Sequence, residues 1–129
     1  MNEDEINELH KIYDIIISGK NAEDLSEDSI LKCITNEHIV LDSISIFYFI
    51  LAMKAPSKKF IWNCLINPNL KLDGCEKVQI IQKVDKLDED FIYKCLTDQN
   101  VGLNSYDKFE LIQIIYKDEK DIYKYISDP

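Results

Sequence analysis

Three segments of this chain carry one phrase. Lys32–Asp42 reads KCITNEHIVLD, Asn63–Asp73 reads NCLINPNLKLD and Lys94–Asn104 reads KCLTDQNVGLN. Cys33, Cys64 and Cys95 stand 31 residues apart, as do Ile30, Ile61 and Ile92, and Leu41, Leu72 and Leu103. The same step joins Asp42, Asp73 and Asn104, then Phe47, Val78 and Phe109, then Ile50, Ile81 and Ile112, and finally Ser26, Ser57 and Asp88. Chance does not align so many columns in one register. A unit this short cannot bury its apolar face alone, so a period of this size implies that like units stack on one another.

Each unit reads as two helices and a turn. In the third, Asp88 is an N-cap for EDFIYKCLT, whose Phe91, Ile92, Cys95 and Leu96 share one helical face. DQNVGLN is the turn, as NPNLKLD is in the second unit, with Asn and Pro as turn formers. Asp73 or Asn104 then caps a second helix, and Glu76 stands at capping-box spacing from Asp73. In the last unit Tyr106, Phe109, Ile112 and Ile115 or Tyr116 form the expected apolar stripe. A leading helix places Ile6, Leu9, Ile12, Tyr13 and Ile16 on one face and ends at Gly19. The stretch IYKYISDP, Ile122–Pro129, matches Ile92–Gln99 with a step of 30 and begins a fourth copy. It is read either as a terminal cap or as the start of a longer stack.

The expected fold is therefore all-α. It is a right-handed α-solenoid of about three and a half helical-hairpin repeats with an N-terminal capping helix. Eight helices are expected, at about 4–18, 27–35, 43–54, 58–66, 74–86, 89–97, 105–117 and 119–126. The chain of 129 residues forms one domain, with 1–25 as cap helix and link and 26–129 as repeats. ISIFYFILAMK (Ile44–Lys54) is apolar nearly all round, the pattern of a central helix covered on both sides.

The residues at the end of the first helix of each unit, the turn INPNLKLD and the amphipathic helix after it resemble HEAT repeats of the short type. The terminal ISDP resembles them too, and the likeness spans residues 26–129. The chain departs from that family in having no arginine after the turn and in filling its second helices with Ile, Phe and Tyr rather than alanine. The resemblance implies binding proteins, adaptors and inhibitors far more often than catalysts.

Charge narrows the partners. The net charge is −9, and residues 1–29 hold nine acids against two lysines. The chain has no arginine, so it lacks the planar fork that reads guanine and grips phosphate. Nucleic acid is excluded on these grounds, and with it a HEAT-like DNA glycosylase, which needs a cationic groove. The longest apolar run, Ile46–Met53, is too short to cross a bilayer, and no basic flank and apolar run mark a signal peptide. A cytoplasmic protein with reduced thiols is expected.

The candidate sites each have a structural alternative. Cys33, Cys64 and Cys95 read as small buried fillers. No pair has the close spacing of a zinc site, and like positions in stacked helices lie too far apart for a disulfide. His10 and His38 read as surface residues, with no nucleophile arrangement around them. Leu31, Trp62, Tyr93 and, with the step of 30, Tyr123 occupy one repeat position at the edge of the apolar face. Trp62, Tyr93 and Tyr123 form either a partner-binding ridge or packing between successive helices with exposed polar tips. The acids Glu3, Asp4, Glu5 and Glu8, and Glu23, Asp24, Glu27 and Asp28, exceed what helix capping needs and could face a basic partner. No enzyme motif, metal site or cofactor is expected. The functional expectation is a non-catalytic protein-binding module, in its sharper form a small acidic inhibitor or immunity-type protein. The alternative is an adaptor segment of a longer helical-repeat protein.

Overall fold

The structure, a computed structural model, describes residues 2–18, 25–40 and 42–115. Among them lie seven α-helices and no strand. They are α1 (Glu3–Ser18), α2 (Glu27–Ile34), α3 (Ser43–Ala52), α4 (Lys58–Ile66), α5 (Gly74–Ile81), α6 (Glu89–Thr97) and α7 (Ser105–Ile115). The expected eighth helix at 119–126 lies outside the described residues.

The period reappears as local chemistry. Ser26, Ser57 and Asp88 are the N-caps of α2, α4 and α6, each accepting from the backbone N–H three residues on. Each satisfies a donor that the first helical turn leaves unpaired. Asp42 and Asp73 cap α3 and α5, and Glu76 completes the expected capping box with Asp73. Asn104 does the same for α7, with Asp107 as its reciprocal partner at 2.8 and 3.2 Å. The turn between the two helices of a unit is also one device used three times. Asn36, Asn67 and Asp98 each accept, through Oδ1, the backbone N–H two residues later, at 2.8, 3.0 and 2.8 Å. These Asx turns are what the repeated phrase encodes. In the second unit Pro68–Leu70 tightens into a 3₁₀ turn.

The repeat columns are the core. Ile30, Ile61 and Ile92 are buried, as are Cys33, Cys64 and Cys95, and Ile50, Ile81 and Ile112. Fully burying one such isoleucine stabilises the fold by about 1.5–3 kcal/mol. Packing follows the alternation of elements: α1 lies against α2 and α3, α3 against α5, α5 against α7, and α2 against α4. The Cys33 thiol donates to the Leu9 carbonyl at 3.3 Å, so α1 covers the first unit's cysteine.

A second contact recurs between units. Glu27, first residue of α2, accepts from the Ser57 N–H at 2.9 Å and from its hydroxyl at 2.6 Å. Lys58, first residue of α4, pairs with Asp88, the next cap along. In both cases the first helical residue of one unit holds the N-cap of the following unit, with the chemistry exchanged from acid–hydroxyl to cation–carboxylate.

Three expectations are corrected. α3 ends at Ala52 rather than 54, because Met53 already turns to extended backbone (φ −65°, ψ 140°) and its N–H closes onto the Ile50 carbonyl. α5 ends at Ile81 rather than 86, because Lys86 turns left-handed (φ 56°) and the Asp85 N–H is held by the Pro56 carbonyl at 2.8 Å. The stripe on α7 is also rotated. Asp107, Leu111 and Ile112 are buried, whereas Tyr106 and Phe109 are exposed. The carboxylate of Asp107 occupies the space beside Gly74, where a Cβ would stand 1.9 Å from Oδ2. Lys77 of α5 reaches the Val101 carbonyl at 2.6 Å, and burial lowers its pKa against the opposing charge of Asp107. A polar seam therefore turns the Asp107 side of α7 toward α5.

Candidate protein-binding surface

Helix α3 has more apolar faces than its neighbours cover. Ile46, Phe47, Phe49 and Ile50 are buried, but Ile44 and Tyr48 are 63% and 64% exposed. They belong to a line at i, i+4 and i+8, Ile44–Tyr48–Ala52, on one side of the helix. The helix has a neighbour on each of two sides, α1 and α5, as its apolar pattern led one to expect, and among the described elements none covers the third side, which Ile44 and Tyr48 mark. Opposite that side the last turn of α1 presents Ile16 and Ile17, and Ile30 of α2 closes the floor. The result is a cleft of about 680 Å³ between α1 and α3. Its serines are already engaged. Ser45 donates to Asp42 at 3.0 Å, and Ser18 to the Ile15 carbonyl at 3.1 Å. Val40, just before α3, is exposed as well.

The expected site residues fall in different settings. Glu3, Asp4 and Glu5 fill the first turn of α1 and are exposed, as is Glu8 on the next turn. Glu5 also serves locally: its N–H donates to Asn2 Oδ1 at 2.8 Å and its carboxylate accepts from the Asn2 amide at 3.2 Å. Glu27 is half-buried and turned to Ser57, whereas Asp28 beside it is exposed. Glu23, Asp24 and Tyr123 lie outside the described residues.

The aromatic column does not form a uniform ridge in the described residues. Trp62 is half-buried between α4 and α6, edge-on to Phe91 with ring centroids 6.2 Å apart. The Lys94 ammonium sits 4.0 Å from its ring centroid. Leu31 is half-buried as well, and Tyr93 is exposed. Packing between helices thus describes Trp62, and among the described residues of the column only Tyr93 stands open.

The thiols in the repeat are chemically quiet. Burial pushes Cys33 up to about 11. Burial, with the charge of Glu27 adding to it, pushes Cys64 up to about 12. Burial raises Cys95 to about 12 as well, and Asp98 adds to that while Lys94 opposes it. All four cysteines are free, and Cys75 is exposed. His10 and His38 are exposed. Among the described residues no cluster of three or more His, Cys, Asp or Glu could hold a metal. No described helix is long and apolar enough to cross a membrane.

No family model, curated protein or solved structure matches the chain. Its function is therefore argued from this surface.

Proposed function

We propose that the chain is a right-handed, HEAT-like α-solenoid acting as a non-catalytic protein-binding module, most concretely a small acidic inhibitor of the immunity type that blocks a basic protein target. One observation carries the reading. Large apolar side chains, Val40, Ile44 and Tyr48, stand exposed beside the most acidic third of the chain. Exposed apolar side chains on a strongly acidic chain suit a surface for another protein, with apolar contact giving affinity and the net charge speeding capture of a basic partner. The alternation of helix contacts and the recurrence of caps at one period support the stacked architecture. The test is affinity capture from lysate at low and high salt, followed by titration of the captured target. A specific complex with a basic protein that weakens as salt rises is expected. Only nonspecific, salt-independent association would overturn the reading.

An adaptor segment of a longer repeat protein is the second reading. It is favoured by the last described unit, where Phe109 is 46% exposed although Phe47 and Val78 in the same column are buried. A coding sequence that continues past Pro129 with another Asn-Pro turn would favour it over the inhibitor.

A further inference from the structure

We propose that the α1–α3 cleft binds a small single-chain ligand with one anionic head, a medium-chain carboxylate, its tail along α3 and its head at Lys54. This goes beyond the protein-binding reading and does not rest on it. The cleft volume of about 680 Å³ falls within the roughly 300–1,000 Å³ of small-molecule sites. Buried Ile16 and Ile30 are part of its lining, with Phe49 beside them, and offer an apolar surface to a tail. Ile44, Tyr48 and Ala52 line it along about 12 Å of α3, at 1.5 Å per residue, close to the length of an extended ten-carbon chain.

The polar groups of the lining select the head. The hydroxyls of Ser45 and Ser18 already donate within the chain, to Asp42 and to the Ile15 carbonyl. Among the described residues no acid lines the cleft, and Lys54, just past the end of α3, is its one charged group. Lys54 also has a contact within the chain, but an ammonium carries three N–H donors, so a carboxylate can join that contact without displacing it. The acids Glu3, Asp4, Glu5 and Glu8 belong to the other end of α1. Even Glu8 stands about 13 Å along the axis from Ile17, farther than the screening length of about 8 Å at physiological salt. Lys54 therefore sets the sign of the head, while the apolar lining supplies affinity.

The test is a methyl and amide NMR titration with decanoate, decanol and decyltrimethylammonium, each below the concentration at which it aggregates, and with vesicles of anionic phospholipid. The proteins are the wild type, Lys54→Met and Ala52→Trp. Both substituted side chains are exposed, and unchanged signals from the buried Ile61 and Ile80 verify that the variants fold. Decanoate is expected to shift Ile16, Ile30 and Ile44 saturably. Lys54→Met should weaken decanoate at least fivefold and leave decanol unchanged, whereas a lysine that serves only the end of α3 would leave both unchanged and overturn the assignment of the head. Ala52→Trp, which fills the groove, should abolish binding of decanoate. Equal affinity for decanoate and decyltrimethylammonium would overturn the proposal. So would decanoate shifts confined to Tyr93, Tyr106 and Phe109, binding to the vesicles without binding to free decanoate, or shifts of the cleft methyls with protein concentration alone. A protein target captured by a chain that ignores decanoate would sink the ligand site and leave the protein-binding reading standing.

Discussion

The recurring cysteine fills space between helices, and its chemistry is suppressed by the same burial that makes it useful there. A thiol pushed up to about 12, as Cys64 and Cys95 are, is ionised on the order of one part in ten thousand at pH 8. In the native protein a thiol reagent should therefore titrate Cys75 quickly and leave the other three until unfolding. Fast reaction of more than one thiol under native conditions would show that the column is not closed. A second residue-scale feature is a left-handed backbone position shared by two units. Gly102 (φ 70°) and Lys71 (φ 53°) occupy it, one period apart. Only glycine adopts that conformation without a steric cost, which is about 1–2 kcal/mol for other residues. Lys71→Gly should stabilise the protein by up to about 1 kcal/mol and Gly102→Ala should destabilise it by about as much. The check is the urea midpoint of each variant, and a loss of stability in Lys71→Gly would contradict the assignment.

At the scale of elements, caps and turns decide where helices begin. All the described helix starts after α1 follow a Ser, Asp or Asn that the spacing in the sequence already marked. These were legible because capping is local: one side chain serves a backbone donor two or three residues away. Contacts across units were not legible. Glu27 looked like a free surface acid, yet its carboxylate is tied to Ser57, thirty residues on. Ser57 thus does two jobs, capping α4 and holding Glu27, where Ser26 mainly caps α2. Ser57→Ala should cost about 2–3 kcal/mol, and Ser26→Ala about 1 kcal/mol. Equal costs in thermal denaturation would mean that the Glu27 contact contributes nothing. The rotation of α7 was hidden for the same reason. Tyr106 and Phe109 fit an apolar stripe, but Asp107 meets Gly74 and the charge of Lys77 from another helix, and that polar seam takes the inward face.

At the scale of the molecule, periodicity made the order of helices readable, while the surface left uncovered depends on how neighbours sit. The apolar α3 pattern pointed to a central helix covered on both sides, and α1 and α5 supply that cover. Ile44 and Tyr48 are exposed on a third side of α3 that none of the described helices covers. The candidate binding cleft is a product of packing, written in no motif. What the account asserts of the whole chain is that one unit repeats in register and stacks on its neighbours. Deletion of Lys58–Asp88 tests this directly, because it removes one period and joins the cap Ser57 to Glu89, the residue that follows the next cap. The stacked-unit account predicts a helical protein that still melts cooperatively, at a lower temperature, with dispersed NMR signals. The off-register deletion Lys58–Val84 should lose both properties. A period-matched deletion that is as unfolded as the off-register one would contradict the account.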